Sequence, residues 1–214
     1  MKTYEKIETI YARDIKGTKK LIEGEYRNTT VEYLKDCEWE WTEKVDGTNI
    51  RILWDGHAVS FMGRTDNAQI PAPLVNRLNA LFGGESNAQI FEQSFGEKPV
   101  MLFGEGYGNK IQSVGKLYNP DGVDFILFDV CIGDDHYLPR NSVEGVAKMF
   151  GINSVPIVGR GPLESAVEFV KKHPNSTLGE VEMEGVVCRP AIELRDCEGN
   201  RLIVKIKWRD FNKN

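Results

Sequence analysis

Polar and apolar residues alternate through Glu38-Trp39-Glu40-Trp41-Thr42-Glu43, the period of a half-buried strand. A second strand-like run, Asn49-Ile50-Arg51-Ile52-Leu53-Trp54, meets the turn Asp55-Gly56 and the run His57 to Met62, which predicts a β-hairpin. Pro99 to Glu105 and Asp124 to Val130 are continuous apolar runs, as buried strands require. Glu182 to Cys188 and Arg201 to Trp208 predict a last hairpin around Asp196 to Asn200. Helical spacing appears elsewhere. Leu74, Leu78 and Leu81 form one stripe over Pro71 to Leu81, and Gly83-Gly84 ends it. Short helices are predicted over Ala88 to Phe95, Asn141 to Phe150 and Leu163 to His173. Asn28 is placed to cap another through Lys35. Residues 1–27 read as a strand or loop packed on the main body, and Asn109 to Asp124 as irregular and mobile. Strands in hairpin order with helices between them predict an α+β fold of antiparallel β-sheets with flanking helices. No repeat, low-complexity tract or linker interrupts the chain, so residues 1–214 are expected to form a single domain.

Composition narrows the class. No apolar run approaches the length of a membrane span, and the start at Met1 has no apolar signal core, so no membrane partner is expected. The four cysteines have no CxxC spacing and there are three histidines. A structural zinc site is disfavoured, and free thiols suit a reducing, cytoplasmic setting. The net charge of −5 argues against broad nucleic-acid binding but permits a local basic strip. Arg201, Lys205, Lys207, Arg209 and Lys213 make the C-terminal end such a strip.

Candidate chemistry centres on Glu43-Lys44-Val45-Asp46-Gly47-Thr48-Asn49. The strand is expected to run on through Lys44, so Lys44 and Asp46 leave it on one face, and Gly47 permits a sharp turn or a close approach. Glu105 ends an apolar run between Gly104 and Gly106. Asp129 follows Phe128, and Glu184-Gly185 precedes Val186-Val187. Lys205 and Lys207 alternate with apolar residues, so both amines leave one face. Each charge alone could be neutralised across a sheet. Together they suggest a cleft for a polyanion and a metal ion, with Lys44 as a nucleophile.

The order of these segments resembles the covalent nucleotidyltransferases: RNA ligases, DNA ligases and mRNA capping enzymes. Lys44-Val45-Asp46-Gly47 resembles their motif I, KxDG. Phe103-Gly104-Glu105 resembles motif III, Phe128-Asp129-Val130 motif IIIa, Glu184 to Val187 motif IV, and Lys205-Ile206-Lys207 motif V. Asn49 stands where DNA ligases and capping enzymes usually carry arginine. That form, with Gly63-Arg64-Thr65 and the run on to Pro71, is similar to the second-type, double-strand-like phage RNA ligases.

The resemblance implies the ATP-grasp-like nucleotidyltransferase fold, without the C-terminal OB-fold of the larger enzymes. It implies an ATP-dependent RNA ligase that joins 5′-phosphate and 3′-hydroxyl RNA ends through a lysyl-AMP intermediate. Lys44 would take the AMP, and Glu105 would bind its ribose. Phe128 would stack on adenine, and Asn49 would contact the nucleotide or brace the motif I turn. Glu43 would read the adenine edge through its backbone. Glu184, with Asp46, would position Mg²⁺ or Mn²⁺. Arg64, Lys205 and Lys207 would meet phosphates. Two alternatives stay open: a minimal DNA ligase or other polynucleotide adenylyltransferase, and a non-catalytic RNA-end binding module. The oligomeric state is not legible.

Overall fold

Alternation in the Trp39–Glu43 strand turns Trp39, Trp41 and Glu43 inward, and this sets the core of one part of the molecule. The computed structural model describes residues 3–18 and 20–212, so Lys213 of the basic C-terminal strip lies outside the described residues. Within it the chain forms two compact units. The first comprises Met1–Tyr4 and Asp46–Val155, the second Glu5–Val45 and Pro156–Asn214. Each is an α+β body built on its own mostly antiparallel sheet, in line with the predicted fold class.

The second unit orders its sheet as Glu8–Thr9, Val204–Lys207, Gly185–Pro190, Trp39–Glu43 and Ile157–Gly161. All neighbours pair antiparallel except the Glu8–Thr9 edge, which runs parallel to Val204–Lys207. The helix Leu163–Lys171 buries Leu163, Ala166, Val167 and Val170, the spacing of one helical face. That face packs with Trp39, Trp41, Val186, Cys188, Val204 and Ile206. Val204 and Ile206 therefore belong to the core, and Lys205 and Lys207 leave the opposite face, as alternation predicts. The predicted last hairpin forms, with Val187 opposite Lys205 and Gly185 opposite Lys207. Asn28 caps the helix Thr29–Tyr33 through its Oδ1. Not foreseen is the Tyr11–Arg13/Leu21–Tyr26 hairpin.

The first unit orders its sheet as Asn153–Ser154, Val123–Ile132, Val100–Gly108, Thr48–Trp54 and Val59–Met62. Ile50, Ile52, Trp54, Val100, Leu102, Phe125 and Leu127 pack on one face with Leu74, Leu78, Phe82, Phe91 and Val143 from three helices. The opposite face carries a smaller cluster: Met101, Phe103, Cys131 and Tyr137, with Tyr4, Leu53, Met62 and Phe128 against it. Asn49, Arg51 and Glu105 share the period of Leu53 and Phe103, so this second face is theirs too.

The register slips between Phe103 and Gly104: Phe103 pairs with Asp129, and Gly104 with Leu127. Phe128 is the extra residue, and a bulge of this kind re-aims a side chain. The segment expected to be irregular and mobile is packed. Ile111 and Tyr118 are buried, and Gly115–Tyr118 forms a helical turn. Apolar anchors at those two positions outweigh a local composition rich in loop residues.

Candidate active site

Lys44 is not on a strand. The Trp39–Glu43 strand stops one residue before it, and Lys44 to Asp46 have no strand pairing. The expectation that Lys44 and Asp46 share a strand face therefore does not hold. The two residues belong to different units. The backbone of Lys44 is still fixed, because its N–H donates to the Gly185 carbonyl at 2.9 Å. Glu43 completes this anchorage. Its side chain is buried, and its carboxylate accepts from Ser176 Oγ, the Thr177 N–H at 2.9 Å and Thr177 Oγ1 at 2.5 Å. A buried carboxylate with those donors is satisfied without a cation.

The second unit brings Lys44, Glu184, Lys205 and Lys207 together. Lys44 Nζ lies 2.6 Å from Glu184 Oε2, and Lys207 Nζ pairs with Glu184 Oε1. One carboxylate thus holds two ammonium groups, each less than a quarter exposed. Burial alone would raise the Glu184 carboxyl, but Lys44 and Lys207 together hold it below the usual carboxylate range. The Lys205 amine has no hydrogen-bond or ion-pair partner among the described residues. Its amine is pushed down first by burial, then by the charges of Lys207 and Lys44. The cluster carries an excess of positive charge, which suits a phosphate group.

The first unit gathers Asn49, Glu105 and Phe128 on its helix-free face. Asn49 stands opposite Glu105 across the Thr48–Trp54 and Val100–Gly108 strands. Its Oδ1 is buried without a hydrogen-bond partner, which is rare enough to point to a ligand. Phe128 is half-buried, with the Tyr4 ring edge-on at 5.0 Å. Tyr4 also donates to the buried Asp129 at 2.7 Å. Gly47 is required by a close approach: a Cβ there would lie 2.2 Å from the Gly106 carbonyl and 2.8 Å from Glu105 Cγ. The turn is braced from the other side. The Asp46 N–H donates to Tyr118 Oη at 3.3 Å, and Gln112 Nε2 donates to the Gly47 carbonyl at 2.9 Å.

Arg64 is exposed and has no charged partner among the described residues. The loop that presents it is pinned by Arg51, a fully buried residue that the sequence did not single out. Arg51 donates through Nε to the Gly63 carbonyl at 2.8 Å and through Nη2 to Asp66 Oδ1 at 2.7 Å. The available signal was the hairpin register. Arg51 stands opposite Met62, so Gly63 lies one residue beyond its partner. Tyr118, Gln112, Ser176 and Thr177 left no signal in the sequence, since their partners are distant along the chain.

The proposed metal ligands Glu184 and Asp46 come from different units, and no three His, Cys, Asp or Glu side chains form a metal-binding group among the described residues. No helix among those residues is long and apolar enough to cross a membrane.

Comparison with known proteins follows the same outline. A family model described as RNA ligase matches residues 37–207. No curated protein sequence matches the chain. Among solved structures, a mutant of Naegleria gruberi RNA ligase with ATP and Mn superposes with a TM-score of 0.65 at 21% identity. It covers 86% of this chain and 52% of its own. The same enzyme with pyrophosphate gives 0.61 at 23% identity, covering 86% and 53%. A mutant with AMP and Mn gives 0.63 at 20%, again covering 86% and 53%. The chain spans about half the length of these solved structures.

Proposed function

The chain belongs to the RNA ligase family, and from that premise we propose that it is an ATP-dependent RNA ligase acting through a lysyl-AMP intermediate. The observation that carries the proposal is the Lys44–Glu184–Lys207 cluster with Lys205 beside it. Lys44 Nζ attacks the α-phosphorus of ATP, the bond to pyrophosphate breaks, and AMP stays on nitrogen. Attack requires the free amine, so the Lys44–Glu184 ion pair is a resting arrangement that opens before chemistry. Lys205 and Lys207 then neutralise the phosphates, joined by Arg64. AMP passes to an RNA 5′-phosphate, and a 3′-hydroxyl displaces it.

The nucleoside fits the helix-free face of the first unit. Asn49 Oδ1 is an acceptor without a donor, which a nucleoside hydroxyl or amino group satisfies. Glu105 accepts from the ribose, Phe128 supplies a ring for adenine, and Glu43 contributes its backbone. Mg²⁺ or Mn²⁺ fits as an ion carried on the triphosphate, since such ions need only one or two carboxylates from the protein. Glu184, with Asp46, would hold it, and it would neutralise phosphate charge. The ATP-bound, AMP-bound and pyrophosphate-bound states of the Naegleria ligase support this reading.

Lys44-Val45-Asp46-Gly47-Thr48-Asn49 and the Arg64–Pro71 stretch support the second-type, phage-like branch. Residues 1–214 act in this reading as one adenylyltransferase domain. Four free cysteines suit a cytoplasmic setting. The test is incubation with α-labelled ATP and Mg²⁺. Wild type acquires a covalent AMP label, and Lys44→Ala, folded, acquires none. A folded wild type that stays unlabelled would overturn the proposal. Nicked duplexes with RNA or DNA at the 3′-hydroxyl then separate the substrates. Equal sealing of both would refute the RNA assignment.

A further inference from the structure

The second unit has a groove of about 280 Å³ whose lining includes Lys6, Arg13, Arg27, Lys205, Lys207 and Arg209. Those are six cations against one lining carboxylate, Glu8, in a chain whose net charge is −5. Strand pairing gathers them. Glu8 and Thr9 run parallel to Val204 and Lys205, and the Ile10 N–H donates to the Lys205 carbonyl at 3.2 Å. The Arg27 N–H donates to the Ile10 carbonyl at 2.9 Å. A basic edge from the start of the chain thus lies along the basic strand from its end.

Internal pairing consumes only part of this charge. Arg13 is committed to Asp210 at 2.8 Å and Lys207 to Glu184. Lys6 and Arg27 share Glu8, at 3.7 and 3.4 Å, and both are well exposed. Arg209 is exposed, and neither it nor Lys205 has an ion-pair partner among the described residues. Lys205 is shifted down first by burial and then by Lys207 and Lys44, and the six cations against Glu8 make the field in the groove positive. Ile7 and Ile15 line the same groove, and Ile15 is 73% exposed. Apolar footing among surplus cations fits the alternating sugar and phosphate of a nucleic-acid strand better than a compact anion.

We propose that this groove binds the phosphodiester backbone of the RNA strand presented for joining, with Lys6, Arg27 and Arg209 as its phosphate contacts. The proposal rests on the reading of the chain as an RNA ligase. It adds Lys6, Arg27 and Arg209 as a grip on RNA, beside the Lys205 and Lys207 that line the same groove and are assigned to the nucleotide.

The probe is a fluorescein-labelled single-stranded RNA oligonucleotide, followed by anisotropy without ATP over a range of salt. The triple variant Lys6→Gln, Arg27→Gln, Arg209→Gln should bind about tenfold more weakly or worse. Its plot of log K against log salt should flatten by about 2, the sum for three phosphate contacts on a single strand. The charge-preserving triple Lys6→Arg, Arg27→Lys, Arg209→Lys should bind as wild type does, and Glu8→Gln should bind more tightly. Labelling by ATP should be unchanged in the Gln triple. Wild-type affinity and slope in the Gln triple would overturn the proposal. So would a raised KM for ATP in the Gln triple with RNA binding intact, which would assign the groove to the triphosphate tail. A protein that binds RNA through these residues but never takes an AMP label would leave the groove standing and remove the ligase reading.

Discussion

Two residues of the candidate site, Glu184 in the second unit and Asn49 in the first, hold their polar groups in opposite ways. In the second, Glu184 is held on both oxygens by Lys44 and Lys207, and Glu43 is held by Ser176 and Thr177. In the first, Asn49 Oδ1 is buried with nothing to accept from. Residues of the first kind contribute to folding as well as to chemistry. Those of the second kind cost stability until a ligand arrives. The distinction predicts that substitutions at the two kinds of residue will split differently between stability and activity.

The largest effect should come from Glu184→Gln, which leaves two poorly exposed ammonium groups without their counter-charge. Breaking such a pair from one side costs about 3 kcal/mol, read by urea unfolding, and AMP labelling should fall with it. The pH dependence follows from the sign of the shift. The Glu184 carboxyl is held below its ordinary value of 4.5 in the folded protein. Its contribution is therefore fully present above that value and is lost as pH falls through the folded pKa. The wild-type stability curve should drop more steeply on the acid side than that of Glu184→Gln. Parallel curves would mean that the Lys44–Glu184–Lys207 cluster does not hold the fold.

A smaller loss is expected for Arg51→Met. The side chain is fully buried, and its removal strands the Gly63 carbonyl, at a cost of about 2 kcal/mol. The Asp66 end is exposed and screened, so it adds little. The loop carrying Arg64 should loosen, and AMP labelling should slow without being abolished. Unchanged labelling with lowered stability would mean that Arg51 supports the hairpin alone. This substitution sharpens the comparison, because Arg51 is a partnered residue on the same face of the first unit as Asn49.

What the sequence discloses depends on how local the cause is. Trp39 and Trp41, or Val204 and Ile206, announce their strands because one buried face imposes period two on the residues themselves. Lys44 and Glu184 stand out for the same reason, since Lys44 directly follows the Trp39–Glu43 strand and Glu184 directly precedes the Gly185–Pro190 strand. The strands Leu21–Tyr26 and Ile157–Gly161 are almost wholly solvent-facing or half-buried. Their existence is decided by neighbours, so no pattern marks them. The bulge at Phe128 is a relation between two strands, set by how Phe103 and Gly104 meet Asp129 and Leu127. The end of the strand at Glu43 likewise depends on Gly185 taking the Lys44 N–H. A reader of the sequence alone extends the alternation one residue too far and pairs Lys44 with Asp46.

Asn49→Leu should have the smallest effect on stability and the opposite sign. Leucine is close to asparagine in shape and removes the buried acceptor. The fold should gain up to about 1 kcal/mol, the penalty of one unsatisfied polar atom. Labelling by ATP should fall even so, because the replacement cannot accept a hydrogen bond from the nucleoside. A rise in unfolding midpoint with a drop in labelling is the signature of a group held ready for a ligand. A fall in both would show that Asn49 braces the Gly47 turn instead, and Asn49 and Glu184 would then not differ in kind. Urea melts on apo protein, beside initial rates of AMP labelling at saturating and limiting ATP, separate these outcomes. A nucleoside contact raises KM most, whereas a brace that has lost its grip lowers the fraction of folded, labelling-competent protein at every ATP concentration.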